Sequence, residues 1–371
     1  MKIIAKKLLR IAKKILSDVH FSTQQEFEEY LRNHPGYREN TRFFVNGVQV
    51  KAPPKQKKKK DEIHHVSPDE LITNEELELL LRNFLENTQQ KKKQSIFGDT
   101  EKIEKDLASD CERVVGHPIE KSDSMNAKYV FDHGDFESIF KPYSGYNPVA
   151  SESFAYEFDK AIGLGMVPPT ISSRRETKYG EKNGSEQFIV PDSFTWEEVC
   201  DYSILDEDFF TTPSDEFDKF KESMEKMAVF DYLIGNSDRH DGNFMLNENM
   251  EVFLIDNGLI RPDREVNNLN SAACCILNVI LQSEEDIEKW FENNSISGMF
   301  DYKIYKTDEF IDMLKGSRGK KCSKSTIDMI KNIDVDKIFS AAKKTRFGMG
   351  EETFKKICER VEKLKGAFEN E

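Results

Sequence analysis

Cysteine is scarce in this chain and carries no pattern. The six cysteines among 371 residues (Cys111, Cys200, Cys274, Cys275, Cys322, Cys358) form no CxxC and stand with no His at zinc-ligand spacing. A disulfide-framed scaffold and a zinc finger are thereby excluded, and the thiols read as reduced and mostly buried in a cytosolic protein. No apolar run approaches the roughly 20 residues a membrane span needs. No signal-peptide cleavage pattern follows the N-terminus, so the expectation is a soluble, cytoplasmic protein. Internal repeats are absent. Basic side chains are depleted from the middle of the chain: Phe131 to Glu265 holds 29 acidic and 12 basic residues, a local balance of −17 against −14 for the whole. Duplex nucleic acid is not expected as a partner for such a stretch, because phosphate binding needs clustered Lys and Arg. A site that recruits a divalent metal fits it better. With 37% hydrophobic and 33% charged residues the chain is polar but not depleted enough for wholesale disorder.

What is present is unevenly organised. Residues 1–16, MKIIAKKLLRIAKKIL, carry six basic and no acidic side chains, with Ile4, Leu8, Ile11 and Ile15 at helical spacing. This is a basic amphipathic helix, suited to an anionic membrane surface or to docking on the acidic body of its own protein. Ser22-Thr23-Gln24-Gln25-Glu26 has the form of a helix cap. Lys51 to Lys60, with two prolines and six lysines, reads as a linker. Leu71 to Leu85 reads as a helix, and Gln89 to Gln94 as a further spacer. The divisions are 1–17 for the basic helix, 18–110 for an accessory helical region, 111–191 for a β-rich lobe and 192–371 for a helical lobe.

From Lys128 the hydrophobic period changes from 3.6 to 2. Lys128 to Phe131 and Glu137 to Lys141 flank Asp132-His133-Gly134-Asp135, a hairpin signal. A helix follows over Ser151 to Leu164, with Ser151 as N-cap. Val167 to Ser172 is extended, Gln187 to Val190 is a strand, and Lys219 to Ile234 is a helix with Phe220, Met224, Met227, Ala228 and Leu233 inward. Asn243 to Leu246 and Glu251 to Ile255 make a second hairpin. The rest is mainly helical, including Glu284 to Glu292 and Glu351 to Phe368, with Cys274-Cys275 in a core helix. Strands early and helices late give an α+β fold of two lobes with an N-terminal helical extension.

The run GNSDRHDGNFMLNENMEVFLIDNGL (Gly235 to Leu259) bears most of the chemistry. Phosphoryl transfer needs a carboxylate to orient the attacking hydroxyl and oxygen ligands to hold Mg²⁺ against the ATP phosphates. Asp238, with Asn243 five residues on, supplies a carboxylate and an amide in a loop after a helix. Asp256 supplies a second carboxylate at a strand end, before Asn257-Gly258, where the backbone can turn. The hairpin brings both aspartates to one end.

DRHDGN resembles the catalytic loop DRHxxN of the phosphatidylinositol 3-/4-kinase and HipA-like branch of the kinase superfamily, and LIDNGL resembles its metal-binding segment. The resemblance implies a bilobal protein-kinase-like fold. It makes Asp238 the catalytic base, Asn243 and Asp256 the metal ligands, and His240 a brace of the loop. Phe140-Lys141-Pro142 resembles the strand whose lysine contacts the ATP phosphates, and Glu152 in SESFAYEFDKAIGLGMVPPT the helical glutamate that pairs with it. Gln187, Phe188 and Val190 would form the hinge against adenine. Where relatives have a glycine-rich phosphate loop, this chain offers only Ser124-Met125-Asn126. Asn257 replaces the aromatic residue of protein kinases, and no long activation loop follows Gly258.

A single DxxxxN spacing occurs often by chance in an acidic chain; the two motifs in order, with Lys141 and Glu152 upstream, are far more specific. His240-Asp241 lacks the further ligands of a metallohydrolase. The expectation is an ATP- and Mg²⁺-dependent kinase acting on a hydroxyl acceptor, protein Ser/Thr ahead of an inositol lipid because LIRPDREVNN after Gly258 holds no basic inositide loop. AMP or glutamyl transfer on the same fold, and a partner-binding pseudokinase, are the alternatives. Deleting Met1 to Leu16 is expected to leave turnover near wild type and to weaken binding to anionic vesicles. Loss of soluble activity on deletion would instead make the helix a packed structural element.

Overall fold

The computed structural model describes residues 18–21, 42–45, 48–50, 97–114, 128–142, 148–201, 204–247, 249–263, 268–269, 271–300, 305–345 and 347–369. The expected helices over 1–16 and 71–85, the cap at Ser22, the linker 51–60, the spacer 89–94 and Asn126 lie outside the described residues. The chain divides into two compact units, Met1–Gln94 and Ser95–Glu371. The second unit therefore opens upstream of the boundary read near residue 110. In the first unit the described residues are strands, where helices were expected. There β1 (Asp18–Phe21) runs parallel to β2 (Arg42–Val45), which pairs antiparallel with β3 (Val48–Val50).

The second unit starts with α1 (Thr100–Leu107), capped by Asp99, whose side chain accepts from the Lys102 amide. The strands β4 (Glu112–Val114), β5 (Tyr129–Asp132), β6 (Glu137–Pro142), β7 (Thr170–Thr177) and β8 (Gly180–Phe188) form one antiparallel sheet in the order β4-β5-β6-β8-β7. Between β6 and β7 runs α2 (Pro148–Ile162). It begins earlier than expected, with Pro148 at its first position, so Ser151 is buried within the helix instead of capping it. Residues paired across a ladder share a face, and neighbours along a strand alternate. The register Ile139↔Gln187 and Lys141↔Ser185 thus puts Lys141 and Gln187 on one face, and Phe140, Glu186 and Phe188 on the other. The face of Lys141 is covered by α2, and the face of Phe188 by Ile103 and Leu107 of α1. The strand expected at Gln187 is only the end of a longer β8. The polar stretch Gly180 to Asn183, exposed on every residue, hid the β7–β8 hairpin from a reading based on hydrophobic alternation.

Beyond residue 192 the chain is mostly helical. A short strand β9 (Ser193–Thr195) leads into α3 (Trp196–Asp201), α4 (Glu207–Thr211) and α5 (Asp215–Ile234). Ser214 caps α5 through the Phe217 amide, and Gly235 ends it at φ 66°. A Cβ at Gly235 would lie 2.4 Å from the Arg261 carbonyl oxygen, so both conformation and space call for glycine there. The hairpin of β10 (Phe244–Asn247) and β11 (Val252–Leu254) pairs with β9 through β10. The helices α6 (Ala272–Ile280), α7 (Glu284–Phe291), α8 (Thr307–Leu314), α9 (Lys324–Lys331), α10 (Val335–Lys344) and α11 (Glu351–Ala367) follow. Phe220, Met224, Met227, Ala228 and Leu233 of α5 are buried, as their spacing predicts, and so are Cys274 and Cys275. Trp196 stacks on Phe220 at 5.3 Å and on Phe244 at 5.8 Å, which seats the hairpin on α5. Among the described residues no helix is long and apolar enough to cross a membrane.

Near the end of α2, the buried Asp159 accepts from the Met166 amide at 3.0 Å while its other oxygen has no partner. Burial pushes its pKa up to about 7, against the pull of the amides of Met166, Val167 and Gly165. A carboxyl whose folded pKa is raised contributes stability that is fully present below its unfolded pKa of 3.8 and lost as pH rises through about 7. Asp159→Asn keeps an acceptor without a charge. Its stability in urea titrations is expected to rise relative to wild type between about pH 4 and pH 7, by up to about 1.4 kcal/mol per unit, and to level off above. Parallel pH profiles for the two proteins would show that Asp159 is ionised throughout.

Candidate active site

Lys141, half-buried at the end of β6, meets two carboxylates: Glu152 Oε1 at 2.8 Å and Asp256 Oδ1 at 3.2 Å. Burial disfavours its charge, but Glu152 and then Asp256 outweigh that and hold its pKa above the ordinary lysine range. Lys141 in turn is the main reason that the Asp256 carboxyl sits below its usual range, against the opposing effect of burial. Glu152 is buried in α2, and its second oxygen accepts from the Asn257 amide at 3.1 Å. One carboxylate therefore ties the sheet to the segment that carries Asp256.

Asp256 itself has φ 55°, a left-handed conformation that residues other than glycine seldom adopt. The next residue holds it there. Asn257 is fully buried; besides its amide bond to Glu152, its Oδ1 accepts from Arg239 Nη2 at 2.6 Å and its Nδ2 donates to the Leu254 carbonyl at 3.3 Å. A strained residue persists where its surroundings over-determine it, and here three hydrogen bonds on one neighbour do so.

The loop after α5 brings the other expected residues to the same place. Asn236 Oδ1 accepts from the Asp238 amide at 2.9 Å, and the Asp238 carbonyl accepts from the His240 amide at 3.0 Å and from Asn243 Nδ2 at 2.7 Å. The Asn243 carbonyl accepts from the Ile255 amide at 3.1 Å, so Asn243 touches both Asp238 and the residue before Asp256. The Asp238 side chain is half-buried and makes no hydrogen bond or ion pair among the described residues.

The brace of this loop is Arg239, not His240. His240 is half-exposed, and its Nδ1 accepts from the Gly242 amide at 3.1 Å beside the Asp241 carboxylate. Arg239 is buried and reaches four partners: the Asp231 carboxylate at 3.1 Å, the carbonyls of Asn243 at 2.5 Å and Ile255 at 2.8 Å, and Asn257 Oδ1. Asp231 also accepts from Ser271 Oγ at 2.7 Å, and burial raises its pKa even with Arg239 beside it. A signal for Arg239 did exist: it is the only Lys or Arg between Lys226 and Arg261. Nothing in the sequence marked Asp231, Ser271 or the buried role of Asn257.

Of the hinge residues, Gln187 shares the face of Lys141, and its Nε2 donates to Thr170 Oγ1 at 2.8 Å. The ring of Phe188 stands on the opposite face, 5.2 Å from Phe136 and 6.3 Å from Phe97, because one step along a strand reverses the face. Val190 is buried in the same cluster, with Phe97, Ile103, Leu107 and Phe253. The Phe188 ring thus offers adenine no platform on the side of Lys141.

The sequence model of the family "Phosphatidylinositol 3- and 4-kinase" matches residues 145–267, which hold Glu152, the Asp238 loop and Asp256. No curated protein matches the chain. Among solved structures, the Golgi casein kinase with Mn/ADP bound is 13% identical, with 72% of this chain and 75% of that chain covered at TM-score 0.42. The Helicobacter pylori proinflammatory kinase CtkA is 17% identical, with 69% and 92% covered at TM-score 0.43. Likeness at that level carries no argument about substrate. The family match over residues 145–267 and the arrangement of Lys141, Glu152 and Asp256 support a kinase-like phosphotransferase.

Removing Arg239 alone would leave Asp231 charged and unpaired in the interior. Arg239→Met is expected to cost about 3–5 kcal/mol, and Arg239→Met with Asp231→Leu clearly less than the sum of the two single changes. Chemical denaturation of the three variants measures this; strict additivity would deny the coupling.

Proposed function

We propose that the chain is an ATP- and Mg²⁺-dependent kinase that transfers the γ-phosphate to a Ser or Thr hydroxyl of a protein. The observation that carries this reading is Lys141 held between Glu152 and Asp256, beside a loop whose Asn243 is bonded to both Asp238 and Ile255. In this reading the sheet with α2 is the nucleotide-holding lobe, and the chain from residue 192 is the acceptor lobe.

The donor set suits Mg²⁺, which takes oxygen ligands. The Asp256 carboxylate is 43% exposed and Asn243 is fixed through its Nδ2, which leaves its Oδ1 as an oxygen donor. Asp256 and Asn243 would hold the ion, which when bound neutralises charge on the phosphates. Lys141 sets its ammonium against the phosphate oxygens, and Glu152 keeps it from drifting to Asp256 alone. Gln187 lies on the same face, at the start of the hinge. Asp238, with its carboxylate unengaged, accepts a hydrogen bond from the acceptor hydroxyl and takes its proton as the bond from that oxygen to the γ-phosphorus forms and the bond from the γ-phosphorus to the bridging oxygen breaks, which releases ADP.

The surroundings of Asp238 favour a protein acceptor over an inositol lipid. Asp241 and Asp201 lie near enough to add to the burial that pushes the Cys200 pKa up to about 12. A Cβ on Gly242 would lie 3.7 Å from the Glu197 carboxylate. An anionic phosphoinositide head group would be repelled by this edge, whereas a hydroxyl flanked by Lys or Arg would be attracted. We further place the enzyme in the cytosol, where six free thiols remain reduced.

Mass spectrometry of the protein and of basic Ser/Thr peptides after incubation with Mg-ATP is expected to find added phosphate. Added AMP or glutamate would point to another transferase on the same fold, and no change at all to a pseudokinase. Asp238→Asn is expected to spare nucleotide binding and to lower turnover by about two orders of magnitude or more. Asp256→Asn and Lys141→Ala should weaken Mg²⁺-dependent binding of a fluorescent ATP analogue as well. Wild-type turnover in Asp238→Asn would overturn the mechanism.

A further inference from the structure

A second cluster of chemistry lies on the sheet face turned away from Lys141. The last ladder pair of β4 and β5 is Glu112↔Asp132, so Cys111 and His133 stand at the next position beyond it, one next to each strand. Glu186 of β8 shares that face. One donor atom from each of Cys111, His133 and Glu186 lies within 4.8 Å of the other two. None of these three residues takes part in the site around Lys141.

The hydrogen bonding of the cluster is incomplete. The His133 ring is 1% exposed and stacks on Phe136. Its Nε2 is shared between Ser138 Oγ at 3.0 Å and Glu186 Oε1 at 3.1 Å; its Nδ1 is buried and makes no well-formed hydrogen bond, and the Cys111 thiol is the remaining polar group close to the ring. A buried ring nitrogen without a well-formed hydrogen bond is uncommon and calls for an explanation. Glu186 is fully buried, but its two oxygens are engaged differently. Oε2 accepts from Arg175 Nε at 2.7 Å, while Oε1 faces His133 and the Ser138 hydroxyl. The other two nitrogens of Arg175 donate to the carbonyls of Ser109 and Leu107. One guanidinium therefore orients the carboxylate and also fixes the turn of chain that delivers Cys111.

We propose that Cys111, His133 and Glu186 form a Zn²⁺ site that fastens the edge strand β4, and the turn leading to it from α1, onto the sheet. Thiolate, imidazole and carboxylate are together the donors of zinc, whereas the all-oxygen set at Asp256 is that of magnesium. Ordinary Zn–S, Zn–N and Zn–O bonds in a tetrahedron separate the donors by roughly 3.4–3.7 Å. The donors, all within 4.8 Å of one another, come to such separations with small side-chain adjustments, for which the half-exposed Cys111 has rotamer freedom. Oε1 of Glu186 binds the ion while Arg175 keeps Oε2, the outer support that metal-bound carboxylates commonly have. The Cys111 thiol proton, and the second ring proton of His133 when it carries one, leave to solvent as the ion binds. Water fills the fourth position on the side of Cys111.

The test uses the full chain, purified without chelator. About one equivalent of zinc is expected by elemental analysis. Co²⁺ added to the stripped protein is expected to give a thiolate charge-transfer band in the near ultraviolet. Cys111→Ser should abolish the band, and both Cys111→Ser and His133→Gln should lower zinc affinity at least tenfold in competition with a chromophoric chelator. Asp256→Asn should leave zinc binding unchanged, and so should Cys358→Ser, a thiol elsewhere. Zn²⁺ should raise the melting temperature of wild type but not of Cys111→Ser, which reports on the site even where a variant is less stable. Less than a tenth of an equivalent of zinc with no cobalt–thiolate band, or unaltered binding in Cys111→Ser, would overturn the proposal.

Discussion

Everything around the candidate active site depends on one buried carboxylate that serves two directions. Glu152 takes the Lys141 ammonium with one oxygen and the Asn257 amide with the other. A charge this deeply buried is tolerated only when its hydrogen-bonding capacity is met, and both its partners come from other elements. The position of Lys141 and the path of the chain through Asp256 are consequently set together. A shift of α2 would disturb both at once.

That helix is held accordingly. Toward the core, Phe154 stacks on Phe347 at 4.4 Å and Phe158 meets Phe230 of α5 edge-on at 5.8 Å. Toward α1, Tyr156 and Lys160 both donate to Glu104, at 2.7 and 2.6 Å. Lys344 at the end of α10 reaches Glu157 at 2.6 Å. The exposed pairs contribute little stability individually, yet they join two helices, α1 and α10, to the one that bears Glu152.

Beneath Asp238 and Asp256 the constraint is a buried ion pair. Asp231 and Arg239 gain little net stability by leaving water together, since desolvation offsets most of their attraction. Their value is geometric. The Arg239 guanidinium donates to two carbonyls and a side-chain amide oxygen that belong to the Asn243 loop and the Asp256 segment, so the two stay in register. The amphipathic pattern of α5 seats the helix in the core, and so fixes where Asp231 stands and where the helix ends at Gly235, whose left-handed conformation turns the chain into the loop.

Local chemistry was legible without coordinates. The DRHDGN and LIDNGL segments, the inward stripe of α5, the Asp132 to Asp135 hairpin and the lysine before a helix all announce themselves within a few residues, because turn preferences and side-chain periodicity are short-range properties. What the sequence by itself determined is thus the kind of chemistry and the elements that carry it. The face on which each side chain stands was decided elsewhere. Phe188 points away from Lys141 because ladder register, not composition, sets parity, and the polar β7–β8 hairpin has no alternation to reveal that register. Arg239 displaces His240 as the brace because only the folded core excludes water from one and leaves the other half-exposed. Cys111, His133 and Glu186, with no motif spacing among them, become neighbours solely because three strands place them on one face. Proximity between distant residues is a property of packing, and only the tertiary structure could supply it.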